Sequence, residues 1–181
     1  MTTSAAAMAR PASSEYAPYY ERYVVLVPEG DIVSILEQQL ETTLQLLCGI
    51  DESQAAQRYA PGKWTIKQLI GHLIDTERIF SYRALRFARN DKSPLPGFDQ
   101  DAYVSNANFD DILTNDLAEE FEYLRRSEIR LFRGLHEAAW TRRGTANDVE
   151  VSVRALAFII AGHEAHHVQV LKTRYLGGKA S

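Results

Sequence analysis

The sequence predicts an all-α protein, a four-helix bundle with a long crossing connection between its second and third helices. Four segments repeat apolar residues at three- and four-residue spacing, the mark of a helix with one buried face. Glycines, prolines and polar runs punctuate the gaps between them. The longest gap, residues 90–111, holds Pro94, Pro96 and Gly97 amid Asp and Asn, and long connections in compact domains are often functional.

Taken in order, residues 1–15 begin with an Ala-, Ser- and Thr-rich run and are expected to be a flexible tail ahead of one bundle domain at 16–178. Tyr16, Tyr19, Tyr20, Tyr23, Val24, Val25, Leu26 and Val27 make the segment before the first helix apolar enough to pack against the bundle. The first helix, 31–47, places Ile32, Ile35, Leu36, Leu40, Leu44 and Leu47 on one face, and Gly49 ends it. A polar linker closes on Pro61-Gly62. The second helix, 64–89, follows with Ile66, Leu69, Ile70, Leu73, Phe80, Ala84 and Phe87 inward. The third, 112–140, buries Leu113, Leu117, Phe121, Leu124, Leu131 and Leu135, with His136 near its end as a partner for the negative pole of the helix dipole. Residues 141–150 read as a polar turn. The fourth helix, 152–176, carries Val153, Leu156, Ala157, Ile160, Val170 and Leu171 inward and stops at Gly177-Gly178.

Bulk composition narrows the function. With 181 residues, 45% hydrophobic and 24% charged, the chain suits a single soluble domain. A net charge of −4 creates no broad attraction for phosphate backbones. Arg83, Arg86 and Arg89, and Arg125, Arg126, Arg130 and Arg133, read as solvated helix faces, so no nucleic-acid partner is expected. No apolar run approaches a membrane span and none resembles a signal peptide, so a cytoplasmic protein without a membrane partner is the expectation. Cys48, the only cysteine, excludes an internal disulfide and a Cys-based zinc cluster and is expected to be a small core residue.

The histidines carry the chemistry. His163 and His167 stand four residues apart, about 40° around a helix, and can grip one ion. His72, on the second helix, supplies a third imidazole if the two helices are neighbours. Three nitrogens with a fourth position open distinguish catalytic from structural zinc. His166, about 60° from His163, is the alternative ligand. The run His163-Glu164-Ala165-His166-His167 formally matches the H-E-x-x-H protease pattern, but the extended form needs Gly and His where Val170 and Thr173 stand. Glu164 should point off the metal face. Glu164 to His167 also matches Glu-x-x-His, half of a di-iron site, with no second copy in the chain. Asp75, about 60° from His72, is the candidate to orient that imidazole through its second nitrogen, with pairing to Arg78 or Arg83 as the alternative.

Four segments together are specific: Pro61-Gly62-Lys63-Trp64, Gly71-His72-Leu73-Ile74-Asp75, Leu95-Pro96-Gly97-Phe98-Asp99 and Gly162-His163-Glu164-Ala165-His166-His167. Through them the chain resembles the DinB-like superfamily, which includes the YfiT-type thiol transferases. The resemblance maps the family's metal ligands onto His72, His163 and His167. It implies zinc or nickel, with iron as a further option, a low-molecular-weight thiol as cofactor, and a homodimer. On that footing the expected activity is transfer of a small thiol to an electrophilic small molecule. Arg83 is the candidate to hold an anionic group of the thiol, against an ion pair with Asp or Glu. Phe98 and Tyr103 are candidates for the pocket mouth, against simple anchoring of the loop. A hydrolase using metal-bound water, or a non-catalytic metal- or ligand-binding dimer, are the alternatives.

Overall fold

The computed structural model describes residues 9–177. Eight helices and one hairpin follow in order: α1 (Glu21–Val24), α2 (Ile32–Cys48), α3 (Glu52–Ala55), α4 (Ile66–Ala88), α5 (Gln100–Asn106), α6 (Thr114–Arg133), α7 (Glu137–Trp140), β1 (Arg143–Ala146), β2 (Val149–Ser152) and α8 (Val153–Val170), which runs into a π turn at Leu171–Tyr175. As expected, the four long helices α2, α4, α6 and α8 form the bundle. Among these four the packing runs α4–α8, α2–α6, α4–α6 and α2–α8, leaving α2/α4 and α6/α8 on the diagonals.

Local chemistry starts each helix where it starts. Asp31 accepts from the Val33 and Ser34 amides, Thr65 and Gln68 form a reciprocal capping box, and Ser152 accepts from the Ala155 amide. Direction follows from the contacts between helices. Along α4 and α6, Arg78 reaches Glu120 and Glu77 reaches Arg125, while Asp110, just before α6, accepts from Thr65 Oγ1 at 2.6 Å. Both helices therefore start at the same end of the bundle and run parallel. At the other end of α4, Arg142 donates to the Ala88 carbonyl. Its opposite end meets Tyr175, whose hydroxyl donates to the Trp64 carbonyl at 2.6 Å, so α8 is antiparallel to α4. The sense is up, down, down, up. One long crossover must join the parallel pair.

That crossover is the connection expected at 90–111, and it is built, not loose. Leu95 donates to Thr145 O at 2.9 Å and accepts from the Asn147 amide at 3.0 Å, adding a short bridge to the hairpin. Arg83 then holds the Pro96 carbonyl at 2.7 Å. Further on, the segment forms α5 and a 3₁₀ turn at Phe109–Asp111, seated on the start of α4.

Several expectations are corrected. The third long helix stops at Arg133, Gly134 closes it, and α7 is separate. His136 caps the start of α7, the positive end of a helix dipole, opposite to its expected place. The expected polar turn at 141–150 is the β1–β2 hairpin, turned by Asn147 and Asp148 at φ 52° and 59°. Cys48 is exposed, because it falls on the outer side of the last turn of α2. Arg83 and Arg125 are buried, not solvated.

Of residues 1–15, expected as a tail, 1–8 lie outside the described residues, as does Gly178. Arg10 donates to the Val24 and Val27 carbonyls, each at 2.6 Å. Glu15 accepts from Ser152 Oγ at 2.7 Å and from Arg154, so the stretch from Arg10 to Glu15 is fastened to the fold. The Arg154 guanidinium and the Ser152 hydroxyl hold this carboxyl below its usual range, against the upward push of burial. Tyr16, Tyr23, Val24 and Val27 are buried against the bundle as expected, whereas Tyr19, Val25 and Leu26 of the same segment are exposed. No described helix is long and apolar enough to cross a membrane.

Candidate metal centre

Helix α4 turns Ile66, Ile70 and Ile74 into the core, and His72, on the opposite face of this helix, is itself buried at 2% exposure. Helix α8 is buried along almost its whole first three turns, a stretch that ends with His163 and Glu164. His167 follows one turn later, at the half-buried end.

The three imidazoles converge. His163 Nε2 stands 3.1 Å from His72 Nε2 and 3.1 Å from His167 Nε2. All three candidate ligand atoms lie within 4.8 Å of one another. An imidazole nitrogen carries either a proton or a lone pair, so His163 Nε2 cannot donate to one neighbour and accept from the other. Three lone pairs aimed at one point repel unless a cation lies between them. Two imidazoles each about 2.0–2.1 Å from a tetrahedral ion stand about 3.3 Å apart, close to the spacing of His163 from each of the other two. Burial pushes His72 down to about 4. Burial, followed by the neighbouring histidines, takes His167 to about 3 and holds His163 well below its usual range. All three are neutral at pH 7, the form that ligates metal.

The second nitrogen of His72 meets Thr76 Oγ1 at 3.3 Å. Donation from that nitrogen to the hydroxyl leaves Nε2 free for a metal. Asp75 does not play this part. Its carboxylate lies 3.8 Å from Arg78, the alternative named above, because the residue four positions on from His72 lies closer on the helix face than the one three on. Glu164 points away as expected. It accepts from Thr43 Oγ1 and from Arg125, each at 2.6 Å, which removes it as a base of the H-E-x-x-H kind.

Each of these histidine runs opens with a glycine. A side chain on Gly71 would overlap the Phe109 ring of the crossover, and one on Gly162 would overlap the Tyr23 carbonyl of α1. The missing side chains admit the covering segments. The Tyr23 ring lies 5.3 Å from that of His163, and the Trp64 ring 4.8 Å from that of His72.

The family model for the DinB superfamily matches residues 35–171, a span that holds all three histidines. The chain belongs to the DinB superfamily. It is 26% identical over 136 residues to a protein of Oceanobacillus iheyensis named as a candidate metal-dependent hydrolase, covering 68% of this chain and 71% of that one. It also shares its fold with YfiT from Bacillus subtilis, described as a probable metal-dependent hydrolase with an unusual four-helix bundle topology. The TM-score is 0.61 at 16% identity over 97% of each chain.

In this DinB-superfamily chain the three-histidine group meets a cavity at His167. A cavity of about 280 Å³ reaches His167 and is walled by Tyr59, Trp64, Tyr175 and His166, with Lys63 and Asp101 also in its lining. The pocket residues expected from sequence are elsewhere. Arg83 is buried on the far side of Phe80, its guanidinium over that ring and its hydrogen bond on Pro96. Phe98 and Tyr103 pack on each other at 5.3 Å and do not line this cavity, so loop anchoring describes them. Lys63 and Asp101 take the lining positions instead. They stand within or beside the very segments that carry the family likeness, and that nearness was the signal available in the sequence. His166 stays outside the three-nitrogen group, its ring against Tyr23 at 5.5 Å.

Proposed function

We propose that this chain is a metal-dependent hydrolase of small molecules, with His72, His163 and His167 as the metal ligands. The observation that carries the proposal is the trio of neutral Nε2 atoms facing one point beside the aromatic cavity, with no fourth protein ligand among the described residues. A divalent ion held there supplies Lewis acidity and brings the pKa of a water ligand toward about 7. Zinc or nickel suits an all-imidazole donor set, with iron as a further option. The chain's own contribution is positional. Thr76 fixes the tautomer of His72, and Trp64 and Tyr23 keep bulk water from the two buried imidazoles. Tyr59, Trp64 and Tyr175 form apolar walls for a substrate body, while Lys63 and Asp101 meet its charges. The names carried by the Oceanobacillus and Bacillus relatives support the hydrolytic reading.

Thiol transfer is the second reading, since an open metal position also activates a thiol. Its expected anion clamp, Arg83, is spent on Pro96, which favours hydrolysis. A homodimer, carried over from the resemblance, and a cytoplasmic setting, expected from the residue pattern, are further parts of the proposal, read by sedimentation and by cell fractionation.

The test is elemental analysis of untagged protein beside His72→Ala and His163→Ala, followed by product analysis on a panel of esters and amides with and without added thiol. Near-stoichiometric metal in wild type, lost in both variants, together with thiol-independent hydrolysis is the expected result. Metal-free wild type that also refuses added zinc and nickel overturns the proposal, and turnover only with thiol moves it to the transferase.

A further inference from the structure

We propose that Arg125 is a positioning residue for the metal site, the centre of a buried clamp that sets the spacing between the two ligand-bearing helices. The inference rests on the metal reading above. Helix α6 contributes no ligand, yet its Arg125, wholly buried, reaches both helices that do. Nε and Nη2 grip the two carboxylate oxygens of Glu77 on α4, the latter at 2.6 Å, and Nη1 holds Glu164 Oε2 on α8 at 2.6 Å. Thr43 Oγ1 donates to the other oxygen of Glu164 at 2.6 Å, bringing in α2. The guanidinium lies over the Phe121 ring, 5.2 Å from its centre, which fixes its plane.

The anchor points sit beside the ligands. Glu164 follows His163 directly, and Glu77 lies five residues past His72, roughly 7.5 Å along the helix. Stability is a poor reason for this network, because buried ion pairs add little over apolar packing of the same volume. What a planar fork bound to two carboxylates supplies is a fixed distance. A metal site demands that, since ligand distances tolerate only about ±0.2 Å.

The test uses the full chain and zinc alone. Two variants are compared with wild type: Arg125→Lys, which keeps the charge but cannot fork, and the neutral set Glu77→Gln, Arg125→Met, Glu164→Gln. Zinc affinity is read by chelator competition, and the metal-free thermal midpoint by circular dichroism. The expected result is a fall in zinc affinity of about 10–100-fold in both variants, the range for residues supporting metal ligands, with a metal-free midpoint in the neutral set at or above wild type. Wild-type zinc affinity in folded variants overturns the clamp and leaves the metal site standing. Should the neutral set fail to fold, Arg125→Lys alone decides. If wild type and His72→Ala bind zinc equally, the metal reading itself falls, and the clamp with it.

Discussion

Gly162→Ala probes the packing that keeps the site dry. An added Cβ would overlap the Tyr23 carbonyl and lie 3.0 Å from Tyr23 Cα. Carbon–carbon contacts settle at about 3.5–4.0 Å, so α1 must retreat by about 0.5–1 Å on that contact alone, and further for the carbonyl. No rotamer relieves the clash, since backbone stands on both sides. Nor can α1 drift freely, because Arg10 ties down the Val24 and Val27 carbonyls. Overpacking of this kind costs up to about 3 kcal/mol. Alanine returns about 1 kcal/mol over glycine inside a helix. The net is about 2 kcal/mol, which for a chain of this size lowers the melting midpoint by about 4–8 °C. Thermal unfolding of metal-free protein reads it, and zinc competition on the same samples reads the displacement of Tyr23 from His163. A midpoint that rises, the sign of helix propensity acting alone, would refute the close approach of α1 to α8.

Three further outcomes are expected. Glu128 is buried with neither carboxyl oxygen hydrogen-bonded, and burial followed by the neighbouring Glu77 raises it well above its usual range. The fold favours its neutral form, so wild-type stability is lost as pH rises above the unfolded value of about 4.3. Glu128→Gln should match wild type near pH 4 and melt higher at pH 8, whereas parallel melting curves would sink the assignment. Glu52 is pulled down to about 2 by the Lys67 ammonium and then by the Thr114 amide. Its contribution is present above the unfolded carboxyl value and lost as pH falls toward 2, so Glu52→Gln should flatten the acid limb of an unfolding titration; an unchanged limb would count against the pair. Phe87, fully buried with its ring where a side chain on Gly144 would stand, should cost about 3–5 kcal/mol as Phe87→Ala, or about 6–20 °C in midpoint. A fall under about 4 °C would mean that the hairpin closes the void.

The four long helices were legible because burial on one face imposes a period that survives in the residue order, and Ile32 to Leu47 or Ile66 to Phe87 display it without help from tertiary structure. Direction was not. A periodic pattern is the same read up or down the bundle, and the parallel pairing of α4 with α6 depends on where Asp110 docks, against Thr65 forty-five residues earlier. The short elements escaped for a related reason. Helix α5 and the hairpin are stabilised by what they touch, Leu95 against Thr145 and Gly144 against Phe87, more than by propensity. Asn147-Asp148 between short alternating runs was a hairpin signal present in the residues and read only as a polar turn.

At the site, the converging histidines were legible and the residues that support them were not, and the difference is geometric. Positions four apart on a helix lie about 40° apart and positions three apart about 60°, so the pair His163 and His167 could be read with confidence in its shared face. The same rule, applied to His72, favours Thr76 over Asp75. Charge chemistry pointed to the carboxylate, while the structure follows the angle, and Asp75 finds Arg78. Arg125 shows a further limit. An arginine among acids on an amphipathic helix is solvated in most proteins, but Arg125 stands on the apolar stripe of its helix, four residues past Phe121 and four before Ile129, and that placement was the signal available in the sequence. What buries it is the pair of carboxylates on α4 and α8, one of them beside a ligand histidine. A buried arginine in a bundle core is therefore found by asking which acids on the other helices turn inward one or two turns from the histidines, since a buried carboxyl is either held toward its neutral form, as Glu128 is, or answered by a cation such as Arg125.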